Sequence, residues 1–306
     1  MPEFTSPMLR RWELGNALRR IRDTRGMTIA DVTIAMKERY GSSFSTTKLS
    51  RIETAKRGVI PRDVHDLCII YGVPDDEREH LVELAKLARE PEDFQTDDDS
   101  RGYLWYIALE RIATRLREYH CVFLPGLLQT AEYAMAVENV AFLNPEYYYT
   151  DLSMEDLPDT AEGRSALRLE RQKLLDRNDP LELHTVIDEG ALHRRFPQQP
   201  EVMERQLRHL IEVSKRPNIH IQVIPFGVGL YPGAEISHWS ILDFPPGDHF
   251  PTRTVYLEAM MGPRTVDHEA DVARIDGAFT TLASHIALDA EDSRSLIERI
   301  LNDTRI

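Results

Sequence analysis

The nine residues STTKLSRIE at 45–53 hold a dense group of side chains able to read a nucleic acid. Ser45 supplies a capping hydroxyl, and Leu49 and Ile52 recur at the spacing of one buried helical face. Thr46, Thr47 and Arg51 then share the outward face. A guanidinium there suits guanine O6 and N7, and threonines can meet thymine methyls. Lys48, Lys56 and Arg57, with the hydroxyls of Thr28, Ser45 and Ser50, are placed for phosphates. Such contacts give affinity and salt dependence but little sequence information. Taken alone, this helix would serve equally as an ordinary amphipathic surface element, so its companions decide.

Other candidate groups offer less. His268-Glu269 opens like H-E-x-x-H, but Val272 stands where the second ligand would be. Gly227, Gly229 and Gly233 miss the dinucleotide spacing by a residue, and Pro232 with no helix behind it spoils the context. Asp188-Glu189, after a predicted strand, could pair for acid–base work, although a cap for the following turn is the favoured reading. Neither a G-x-S-x-G elbow nor a G-x-x-x-x-G-K-[ST] loop occurs. No catalytic residue, cofactor or metal is therefore expected. The run Tyr147, Tyr148, Tyr149, with Tyr133 and Phe142 upstream, has three readings: a lid on the core, a protein interface, or a pocket wall. The loop from Phe226 to Tyr231 borders an effector cavity or simply turns on its glycines. Tyr147, Tyr148, Tyr149, Phe226 and Tyr231 are thus the candidate effector or partner residues.

The elements that position these groups follow from periodicity. In a first helix Leu14, Leu18 and Ile21 face inward, leaving Arg19, Arg20, Arg22 and Arg25 on the wet side. Thr28 caps a second, with Ile29, Val32 and Met36 inside. The 45–53 helix is third, Pro61 opens a fourth that Gly72 stops, and Asp75 to Arg89 makes a fifth. Residues 9–90 are thus expected to be a five-helix domain. An acidic linker spans 91–101, and an α+β domain fills 102–306. In the latter, Tyr103 to Tyr119 reads as one amphipathic helix, with Pro125-Gly126 a turn. Further helices fall near 132–142, 163–177, 200–215, 268–286 and 290–302. Strands at 181–188, 218–226, 239–244 and 253–259 predict a mixed sheet of about four or five strands.

Charge separates the two halves. Over 306 residues the formal net charge is −14, which argues against contact with a duplex if spread evenly. Residues 1–62, however, carry 13 Lys/Arg against 6 Asp/Glu, a net +7, and the remainder carries −21. A basic head on an acidic body is a nucleic-acid signal. Cys68 and Cys121 form no C-x-x-C, so neither a disulfide framework nor a thiolate zinc site is supported. No signal-like apolar core and no run of about 18 apolar residues occurs, so a cytoplasmic protein without a membrane span is expected.

The words LGNALRRIRDTRGMT, KLSRIETAKR and the Pro61 to Val73 segment resemble the Xre-type helix-turn-helix domain over residues 13–89. That resemblance puts Thr46, Thr47 and Arg51 at base-facing positions. KERYGSSF at 37–44 departs from it by lengthening the connection into the third helix. Downstream, YHCVFLPGLLQTAEYAMAV, ERQ, TVIDEGALHRRF, VMERQLRHLIEVSKRPNIHIQVIPF and TVYLEAM resemble the C-terminal domain that follows such heads in many actinobacterial regulators, WhiJ-like proteins among them. The resemblance implies a transcription regulator, often linked to a small neighbour-encoded protein in an antitoxin-like arrangement. One such head offers a small interface, so a homodimer on a palindromic operator in double-stranded DNA is expected. Two body functions stay open, sensing a small-molecule effector or clamping a small protein partner. The other class is an enzyme that uses the head only for localisation.

Overall fold

A computed structural model describes residues 7–41, 44–55, 57–89, 103–142, 160–234, 238–245, 251–257 and 264–303. They divide into two compact units, one built on the first 99 residues and one on residues from 100 onward. The expected linker at 91–101 lies outside the described residues.

The first unit packs α1 (Pro7–Thr24), α2 (Ile29–Tyr40), α3 (Thr46–Glu53), α4 (Pro61–Tyr71) and α5 (Asp75–Leu87). Leu14, Leu18, Val32, Met36, Leu49, Ile52, Val64 and Leu67 make its core, as the periodicity predicts. Two devices fix α3 against α1. At Gly15 any Cβ would sit 2.5 Å from the Ile52 carbonyl oxygen, so the two helices meet backbone to backbone. The second device corrects the sequence reading of Arg22, which is only 8% exposed rather than on the wet side. It stands four residues after Leu18 and so continues the buried stripe. Its Nε and Nη2 donate to Glu53 Oε1 and Oε2 at 2.7 and 2.8 Å, and its Nη1 donates to the Met27 carbonyl at 2.9 Å. The lengthened 37–44 segment is partly helical: α2 runs to Tyr40, and Gly41 ends it with φ 61°.

The second unit is α+β. Its six-stranded sheet has the order β3-β2-β1-β4-β5-β6, from β1 (Arg115–His120), β2 (Glu182–Asp188), β3 (Ile219–Ile224), β4 (His238–Asp243), β5 (Arg253–Leu257) and β6 (Arg264–Val266). β1–β2 and β2–β3 are parallel, and the other pairings are antiparallel. The helices are α6 (Tyr103–Ile112), α7 (Ala131–Phe142), α8 (Ala161–Gln172), α9 (Glu189–His193), α10 (Pro200–Val213), α11 (Glu269–Thr281) and α12 (Ala290–Asp303). The expected helix from Tyr103 to Tyr119 is corrected here: it stops at Ile112, and its second half is β1. RLREYH looks like a polar helix end, yet all but its first residue are buried, because a central strand is covered on both faces. On one face Tyr119, Val186, Trp239, Ile241 and Val255 pack against Val272 and Phe279 of α11.

Buried amides join the segments that the sequence marks most strongly. Gln206 Oε1 accepts from Thr130 N at 2.7 Å, and its Nε2 donates to the Leu128 carbonyl at 2.7 Å. Gln172 Nε2 donates to the Gln129 carbonyl at 2.6 Å, and Arg171 makes a two-pronged pair with Glu110 at 2.7 and 2.6 Å. PGLLQT, ERQ and VMERQ are thus three sides of one joint.

Replacing Glu53 with Leu takes the two-pronged partner from the buried Arg22 guanidinium and leaves it only the exposed Asp23 carboxylate and the Met27 carbonyl, and is expected to cost the head about 3 kcal/mol in urea unfolding. Adding Arg22→Met should restore most of that loss, since an apolar pair of similar volume is close to neutral there.

Candidate nucleic-acid interface

α3 begins at a well-formed cap. Ser45 is extended (φ −92°, ψ 158°), and its hydroxyl accepts from the Lys48 amide at 3.1 Å. Leu49 and Ile52 turn inward, so Thr46, Thr47, Ser50 and Arg51 are left exposed along one side. Across from them α2 starts at Thr28, whose hydroxyl accepts from the Asp31 amide, while the Thr28 amide donates to Asp31 Oδ2 at 2.8 Å. The Thr28 hydroxyl also donates to Asp31 Oδ2 at 2.7 Å, and this bond together with that from the Thr28 amide holds the Asp31 carboxyl below its usual range. Between these two helix starts lies an open groove of about 1080 Å³, bordered by Arg22, Thr28, Thr46, Thr47, Ser50 and Arg51. Its walls offer hydroxyls, a guanidinium and backbone donors, a set that fits base edges and phosphates.

The residues expected at phosphates divide. Thr28 and Ser45 are the two caps; Ser50 and Arg57 are exposed. Lys48 is half-buried, with its ammonium 2.5 Å from Asp63 and 4.4 Å from the centre of the Phe44 ring. That pairing ties α3 to α4 and gives Lys48 a place within the head's packing. Lys56 lies outside the described residues. Just past the Thr54 C-cap of α3, Ala55 holds a left-handed φ of 55°. A Cβ is disfavoured there, so Ala55→Gly is expected to stabilise the head by about 1 kcal/mol, read as a raised Tm.

In the body, Tyr147, Tyr148 and Tyr149 lie outside the described residues. Phe226 is 60% exposed and stacks on His193 with ring centres 5.4 Å apart. Tyr231 is 7% exposed and hydrogen-bonded inside the core. Its hydroxyl lies 2.5 Å from Asp188 Oδ2 and 2.7 Å from the Tyr119 hydroxyl. Asp188 also accepts from the Gly190 amide at 2.7 Å as the cap of α9, while Glu189 accepts from the Phe226 amide at 2.6 Å. The two adjacent carboxylates therefore point to separate partners rather than to a shared proton.

His184 is a half-buried group on β2. Burial lowers its pKa to about 4, against the pull of its hydrogen bond with Gln222 and with help from His220 and Arg115. The unfolded chain takes up this proton near the ordinary 6.5, before the folded one does. Stability from this site is therefore full above pH 6.5 and is lost progressively as pH falls towards about 4. His184→Gln should flatten that part of a plot of Tm against pH, and an unchanged slope would refute the assignment.

A family model described as "Domain of unknown function (DUF5753)" matches residues 104–299, and one described as "Helix-turn-helix domain" matches residues 13–81. No curated protein and no solved structure matches the chain. Among the described residues, no helix is long and apolar enough to cross a membrane.

Proposed function

Because the chain belongs to the DUF5753 family and carries a helix-turn-helix domain ahead of that region, we propose that it is a sequence-specific transcription regulator. The carrying observation is the groove in which the exposed residues Thr46, Thr47, Ser50 and Arg51 of α3 stand beside the capped start of α2. In this reading α3 enters the major groove, Arg51 and the two threonines read bases, and Arg57 with Lys56 holds phosphates. Two copies on a palindromic operator supply the area that one head lacks. The resemblance to Xre-type, WhiJ-like regulators supports the same assignment and a cytoplasmic setting.

The body then acts as the regulatory part rather than as an enzyme. A protein partner is favoured over a small molecule by the loop after β3, where Phe226, Val228 and Leu230 are 60%, 39% and 93% exposed. Exposed apolar side chains grouped in one loop suit a protein surface. The antitoxin-like arrangement, in which a small neighbour-encoded protein is clamped and DNA binding is autoregulatory, is the form of this reading that co-purification would reveal.

Binding of the full chain to its own promoter fragment, followed across salt concentration, tests the DNA assignment. Arg51→Ala should cost about 1–3 kcal/mol and relax preference at one base position, whereas Arg57→Ala should weaken all sequences alike and lower the salt slope by about one. Unchanged sequence preference in Arg51→Ala would refute base readout by α3.

A further inference from the structure

The pairing of β1 with β4 assembles a cluster that no spacing in the sequence announces. His120 stands directly opposite His238, and Glu118 opposite Ser240, so all four side chains leave one face of the sheet. Glu118 is 2% and His120 6% exposed, while His238 is half-buried. His120 Nε2 lies 3.3 Å from Glu118 Oε2, and the two imidazole rings stack with centres 4.2 Å apart. One potential ligand atom from each of Glu118, His120 and His238 falls within 4.8 Å of the others.

We propose that Glu118, His120 and His238 form a binding site for a divalent first-row transition metal of the zinc class. Two imidazoles and one carboxylate are the donor set such an ion takes, in preference to the all-oxygen shells of calcium or magnesium. Bonds of about 2.0–2.2 Å to a tetrahedral ion place its ligand atoms roughly 3.4 Å apart, the separation already present between His120 and Glu118. On binding, His238 would have to turn toward the pair, because the three ligand atoms now lie up to 4.8 Å apart. A further observation points to a ligand. Glu118 Oε1 is fully buried and finds no hydrogen-bond partner among the described residues, a costly arrangement that a cation would relieve. His238 Nε2 lies 3.2 Å from the Ser240 hydroxyl, a neighbour that orients the ring.

Three protein ligands leave a fourth position for water or an outside donor. The site lies within the body, and the inference is independent of DNA binding by the head.

The test uses the full-length protein, stripped with a chelator and then given zinc or cobalt alone. The expected result is about one equivalent of zinc retained by mass spectrometry after desalting, with a zinc-dependent rise in Tm. Cobalt should give the visible ligand-field bands of a low-symmetry site with nitrogen ligands. His120→Gln and His238→Gln should abolish the bands, and Glu118→Gln should weaken zinc at least about 10-fold. His285→Gln, on the exposed turn after α11, should change nothing. Wild-type protein that binds cobalt without those bands, or retains no zinc, overturns the proposal even if a variant fails to fold. So does zinc retention that persists undiminished in both histidine variants. Loss of promoter binding would bear on the head alone and leave this site standing.

Discussion

The ion pair between Arg22 and Glu53 is the constraint on which the head depends. It joins the end of α1 to the end of α3 inside the core, where both charges are nearly dry. A buried pair is a poor source of net stability, because desolvation offsets most of the attraction. Its value lies in geometry: only one placement of α3 satisfies both prongs and also brings the Ile52 carbonyl against Gly15. The exposed side of α3 is therefore presented at a fixed angle beside α2. Arg22 also reaches the Met27 carbonyl in the turn between α1 and α2, so one side chain registers both walls of the groove.

The body rests on a different device, a central strand made of polar residues. β1 directs Arg117 and Tyr119 to one face and Glu118 and His120 to the other, and nearly all are buried. Arg117 is answered by Asp243 and Asp276, and Tyr119 by Tyr231, whose hydroxyl in turn meets Asp188. Arg117 and Tyr119 are thus bonded to elements distant in sequence, so the register of the sheet is set by matching partners as well as by apolar fit.

Much of the head was legible because its helices are amphipathic, with caps and stops at Thr28, Ser45, Pro61 and Gly72. Arg22 escaped because a charge at the end of an apolar stripe reads as solvent-facing unless its partner, 31 residues away, is known. β2 to β5 were legible from β-branched alternation, whereas β6 is only three residues long. β1 was lost because a doubly covered strand shows no alternation, and RLREYH lacks the apolar run that usually marks one. The same blindness hid Glu118, His120 and His238, whose association exists only through strand pairing. Conversely, the words PGLLQT, ERQ and VMERQ stand out in the sequence because they form a joint of buried amides, which is a reason of architecture.

The polarity of β1 also bears on how the chain is made. The head closes on contacts among neighbouring helices and can fold as soon as it leaves the ribosome. The sheet cannot, since Arg115 must wait for Glu182 on one side and Asp243 on the other. During that interval the middle strand of the body is exposed in an incomplete chain. A run of valines and isoleucines there would invite aggregation with other nascent chains, whereas Arg-Leu-Arg-Glu-Tyr-His stays hydrated until its partners arrive. The strand that holds the finished sheet together is thereby also its own gatekeeper during synthesis.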